Sequence, residues 1–141
     1  MSTGWQPTLP YESWSATCDT LHAHTQVLGK LAVRLAPPEP QLQHAALRLT
    51  TRGWETLPLP APNGSGSFAV TLDLRAHAAV VDHSDGSTRR VPLTPDRPVG
   101  EVTGELLEAV SALAGTVAID PTPQEVPWRT PLDEDRELCH L

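Results

Sequence analysis

A chain of 141 residues is long enough to bury one hydrophobic core without disulfides or metal, and an apolar content of 39% fits an ordered globular domain. Its formal charge of −7, with no run of basic residues beyond Arg89-Arg90, argues against a phosphate-tracking surface, so nucleic acid is not an expected partner. No apolar stretch approaches the ~20 residues that span a bilayer, and the first ten residues lack the basic start and apolar centre of a signal peptide, so the expectation is a cytoplasmic protein without membrane contact.

In chain order, Pro10 to Lys30 reads as the first helix. At 100° per residue Tyr11, Trp14, Cys18, Leu21, Thr25 and Leu28 fall on one stripe, which predicts that Trp14 and Leu21 lie in the core. Gly29 reads as the helix terminator, with Lys30, the single lysine, just past the last turn. Leu31 to Ala36 then alternates with the period of a strand and is stopped by Pro37-Pro38-Glu39-Pro40. Leu47 to Arg52, continuing through Gly53 to Leu57, reads either as a strand bent at Arg52-Gly53 or as a tight hairpin. Pro58 to Gly66 is proline-rich and then glycine-rich, a loop. Phe68 to Leu74, Ala78 to His83 and Thr88 to Leu93 form a meander, with Ser84 to Ser87 as a hairpin turn.

A second helix is expected from about Pro98 to Ala114, with Val99, Val102, Leu106, Val110 and Leu113 at helical spacing, Gly100 and Gly104 weakening it and Gly115 ending it. Thr116 to Ile119 reads as a short last strand. Residues 120–141 carry four prolines and the acidic block Asp133 to Glu137, and are expected to form an extended tail that packs through Val126 and Trp128. The whole, 1–141, is read as one domain. Its expected fold is α+β, a mainly antiparallel sheet of five to six strands with the two amphipathic helices on one face.

Three constellations could carry chemistry. His22, Gln26 and Lys30 recur at intervals of four, a polar line along the edge of the first helix that could hold a small ligand, with His22 exchanging a proton and Lys30 holding an anion. Hydrogen bonds from the same line to nearby loops would be the structural alternative. His22 and His24 point about 200° apart on an unbroken helix and cannot share an ion. His44 and the carboxylates of the C-terminal block, Asp133 and Asp135 with Arg136, complete the candidates; that block could offer oxygens to a divalent cation or stand solvated. Cys18 and Cys139 lack the spacing of a zinc or thiol-redox motif and read as free thiols. No phosphate loop or nucleophile elbow is present, so no metal site and no cofactor is assigned.

The segments LPYESW, TLHAHTQVLGK, TTRG followed by LPLP, SDGSTR and QEVPWRTPLDEDRE, in this order, resemble the bacterial domain of unknown function family 5996 over nearly the full chain. The family has no established activity; the resemblance raises interest in His22, Gln26, Gly29, Lys30, His44, Asp85 and Asp133 to Arg136, which match its pattern. Two departures stand out. His24 replaces a tryptophan of that pattern, and Pro40-Gln-Leu-Gln-His44 replaces an Asn-His-Trp-Trp-His run of which the final histidine alone matches. Relatives continue beyond the acidic block, which makes this a short member.

The expected function is therefore a non-catalytic interaction or scaffold domain, with a small-molecule binder or enzyme at the His22-Gln26-Lys30 edge as the first alternative and a divalent-metal protein at the C-terminal carboxylates as the second. A homodimer, or a complex with a separately encoded protein, is expected to cover the sheet where relatives have further chain.

Overall fold

Alternation of apolar and polar residues from Leu47 to Pro92 builds a sheet of six strands, which the computed structural model, describing residues 7–141, arranges in the order β1-β2-β4-β5-β6 with the short β3 also on β4. The strands are β1 (Leu47–Leu49), β2 (Gly53–Thr56), β3 (Leu59–Pro60), β4 (Ser67–Asp73), β5 (Ala78–His83) and β6 (Thr88–Pro92), and every pairing is antiparallel. Two helices, α1 (Ser15–Leu35) and α2 (Val99–Ala114), pack on one face, and their buried side chains join those of the strands in a single core. The α+β expectation holds. No helix among the described residues is long and apolar enough to cross a membrane.

The β1–β2 segment is a hairpin and not a bent strand. Thr50 closes it, donating its N–H to the Gly53 carbonyl at 2.8 Å and accepting the Arg52 and Gly53 N–H groups on its hydroxyl, each at 3.1 Å. Gly53 is required here, because a Cβ would fall 2.0 Å from the Leu72 carbonyl oxygen. Within the Pro58–Gly66 segment, expected as a loop, Leu59 pairs with Phe68 in the short β3 and its side chain is fully buried in the core.

The first helix departs from expectation in both length and facing. It begins after a 3-10 turn at Tyr11–Ser13 and runs past Gly29 to Leu35, so the strand expected at Leu31–Ala36 does not form. Leu28, Leu31, Ala32 and Leu35 continue the helical period as well as they fit a strand, and burying Leu31 and Ala32 against the sheet decides between the two. The buried stripe is Thr20, Ala23, His24, Val27, Leu28, Leu31 and Ala32, rotated from the expected one so that Leu28 alone is common to both. Tyr11 and Trp14 are exposed and Leu21 is half-buried, which overturns their placement in the core.

The chain beyond α2 is a third layer without regular structure, and the strand expected at Thr116–Ile119 is absent. Val117 and Ile119 pack against the core instead of pairing with a strand. Leu132 is the tail's deepest residue, fully buried, whereas Trp128 is half-buried against the core and Val126 makes no part of it. The tail also supplies what the start of α2 lacks. Pro98 offers no side-chain cap, and the unpaired N–H groups of Val99 and Gly100 donate to the carbonyls of Leu138 (2.9 Å) and Asp135 (2.8 Å). Gly100, which weakens the helix by propensity, is explained by this approach: a Cβ there would lie 2.7 Å from the Asp135 carbonyl oxygen. The other end of α2 is met by Asn63, whose N–H donates to Ala114 O at 3.0 Å.

The open face of the sheet is polar. One cross-strand row reads Arg48, Glu55, Thr71, Val80 and Arg90, the polar composition common on one face of antiparallel sheets.

Candidate functional site

Because α1 continues past Gly29, the line His22, Gln26 and Lys30 gains a fourth member, Arg34, and lies along one side of a single rigid rod. The structure brings the three expected residues together. His22, Gln26 and Lys30 line a depression of about 270 Å³ with Gly29, Ala45, Gln124 and Glu125, and this opens into a larger one of about 700 Å³ that Lys30 and Val33 share with Arg34, Leu42 and Asp120. The tail forms the opposite wall. Gln26 holds that wall at two points: its Nε2 donates to Gln124 O at 2.8 Å and its Oε1 accepts the Gln124 N–H at 2.9 Å, so the carboxamide pairs with the backbone as a neighbouring strand would. The His22 ring stands edge-on to the Trp128 indole, centroids 6.1 Å apart. The polar line is therefore partly structural, with Gln26 satisfied by the tail and Lys30 and Arg34 left to the cleft.

Across this cleft Asp120 accepts the Thr122 N–H at 3.0 Å; that bond, the Thr122 hydroxyl and then the charge of Lys30 hold its carboxyl below the usual carboxylate range. Gly29 forms part of the floor, and a Cβ on it would meet nothing within 4 Å.

The remaining expected residues lie elsewhere. His44 is buried and accepts the Glu39 N–H on Nδ1 at 3.1 Å, closing the 3-10 turn Pro40–Ala45, in which Gln41 and Leu42 both take left-handed backbone at φ 57°. Asp133 and Arg136 are exposed near the start of α2, while Asp135 is buried there, its Oδ1 accepting the N–H groups of Glu137 and Leu138 at 2.9 Å each. Asp135 thus orders the turn that caps α2. Among the described residues no three His, Cys, Asp or Glu side chains are placed to hold a metal ion.

A second concavity was not foreseen. Between the first half of α1 and the β1–β2 hairpin runs a groove of about 550 Å³ lined by Trp14, Cys18, Leu21, His22, Thr25, Leu47 and Trp54. It is mostly apolar, because the rotation of α1 that buries Ala23 and Val27 leaves Trp14 and Leu21 facing the sheet edge instead of the core. His22 borders both this groove and the smaller depression beside the tail. The helical period carried the signal for Trp14 and Leu21, but not which side of the stripe the sheet would cover; for Asp120, Gln124 and Glu125 the sequence held no signal at all.

The fold and these concavities define an α+β domain with an antiparallel sheet, a pair of helices on one face and a tail completing the core. The chain belongs to a family of unknown function, DUF5996, whose model matches residues 5–140. No curated protein and no solved structure matches it.

Proposed function

We propose that this chain is a non-catalytic interaction domain that receives an extended apolar segment of a separately encoded protein in the groove between α1 and the β1–β2 hairpin. The observation that carries this reading is the groove's position beside the free edge of β1. That edge has no proline, and its Leu49, 75% exposed, shares the helix-facing side of the sheet with its cross-strand partner Trp54. The opposite edge, β6, is guarded by Arg89, Arg90 and Pro92, the usual means of preventing strand addition. A segment added to β1 would gain main-chain hydrogen bonds while its alternate side chains entered the groove. An uncharged or basic segment suits a chain of net charge −7.

A second copy of this chain fits the edge less well. Two-fold pairing of a three-residue strand sets Arg48 opposite its own counterpart, like charges directly across a ladder. Selection of displayed peptides on the immobilised protein tests the proposal: selected sequences should alternate large apolar residues, should shift the tryptophan emission on binding, and should lose about tenfold in affinity to the Trp14→Ser variant. Peptides that bind that variant equally well would refute it, and so would light scattering that finds a dimer abolished by the same substitution, which would assign the groove to a second copy.

A further inference from the structure

The larger depression beside the tail, separate from the apolar groove, has charged residues on two sides in an arrangement that its own residues leave unfinished. Lys30 and Arg34, one turn apart on α1, border it from one side; Asp120 and Glu125 border it from the tail. Among the described residues neither cation has a carboxylate within 4.0 Å. Long basic side chains on a surface ordinarily reach a nearby carboxylate when both can move; here the anionic wall is held in place. Asp120 is fixed by the Thr122 N–H, the loop is closed by the Leu132 N–H donating to Pro121 O at 2.8 Å, and Gln26 grips Gln124 from α1. Opposite charges are thus kept on opposite sides of a space large enough for a small molecule, with Val33 and the 63% exposed Leu42 adding apolar surface to the same space.

We infer that this cleft binds a small zwitterion of the α-amino acid class, its carboxylate received by Lys30 and Arg34, its ammonium group by Asp120 and Glu125, and an aliphatic side chain laid on Val33 and Leu42. A ligand whose ammonium and carboxylate groups are carried on one carbon completes both walls at once through charge-assisted hydrogen bonds. A simple anion would complete one wall and leave the other carboxylates repelling it. The Lys30–Asp120 attraction that such a ligand interrupts joins a half-buried lysine to a solvent-exposed carboxylate, which screening by water keeps weak.

Calorimetric titration of the full chain with L-leucine tests the inference, with N-acetyl-L-leucine, which lacks the cation, L-leucinamide, which lacks the anion, and inorganic phosphate as comparisons. Leucine should bind, and each derivative should bind about tenfold more weakly or not at all. Lys30→Gln and Asp120→Asn should each weaken leucine by about tenfold while keeping the thermal midpoint of the parent, since neither side chain belongs to the core. Trp14→Ser should leave leucine binding intact, which separates this site from the apolar groove. No heat from leucine up to about 10 mM would overturn the inference. So would phosphate or the acetylated derivative binding as tightly as leucine, or unchanged leucine affinity in folded Lys30→Gln and Asp120→Asn.

Discussion

His24 is a histidine that burial keeps neutral. Only 3% exposed on the inner side of α1, with no hydrogen-bond partner for its Nε2, it has its pKa lowered from 6.5 to about 4, first by desolvation and then by the positive charge of Arg97. Above pH 6.5 folded and unfolded chains both carry it uncharged. Between 6.5 and about 4 the unfolded chain takes up a proton that the folded one refuses, so stability is full above the unfolded pKa and is withdrawn as pH falls, by about 3 kcal/mol when the folded pKa is reached. His24→Phe keeps a ring in the space and removes the titrating group. Its urea midpoint should fall less than the parent's between pH 6.5 and 4; parallel pH profiles for the two proteins would show that His24 is not the group responsible.

At the scale of elements, α2 tests whether the tail or helix propensity governs its start. Gly100 and Gly104 stand one turn apart in the same helix with opposite surroundings. A Cβ at Gly100 would press on the backbone of Asp133 and Asp135, whereas one at Gly104 would meet nothing within 4 Å. Gly104→Ala should therefore stabilise by about 0.5–1 kcal/mol, the ordinary gain of alanine over glycine inside a helix. Gly100→Ala should destabilise by about 1–3 kcal/mol despite the same propensity gain, because the tail must move and its carbonyls leave the Val99 and Gly100 N–H groups unpaired. Chemical denaturation of the two variants decides the matter. Equal and positive shifts would mean that the tail does not cap α2.

For the molecule as a whole, the tail is part of the core and not an appendage. Leu132 is fully buried, Leu138 and Leu141 pack against the same cluster, and the His140 N–H reaches back to the Thr20 hydroxyl at 3.2 Å. Leu132→Ala should cost about 2–5 kcal/mol, the range for a cavity in a packed interior. Leu21→Ala, at the half-buried rim of the groove, should cost clearly less. Thermal unfolding read by near-ultraviolet dichroism provides the measurement, and a loss at Leu132 no larger than at Leu21 would show that the tail is not folded onto the core.

What was legible in the sequence was what depends on short range. The meander from Phe68 to Leu93 follows from strict alternation and the Ser84–Ser87 turn, α2 from its apolar period and Gly115, and the line His22, Gln26, Lys30 from spacing alone. The segment Leu31–Leu35 fits two periods, and local pattern cannot arbitrate between them; contact with the sheet does. The same contact chose which side of α1 to bury, and so turned Trp14 and Leu21 from expected core residues into the wall of a groove. Nothing local ties Gln26 to Gln124, 98 residues away, or Gly100 to Asp135. Lacking periodicity, the tail offers no pattern to read, and its position is set by where Leu132 finds apolar neighbours and where the bare start of α2 and the carboxamide of Gln26 find hydrogen-bond partners. Spacing along one helix put the three polar residues of the candidate site in line; only the tertiary packing supplied the opposite wall.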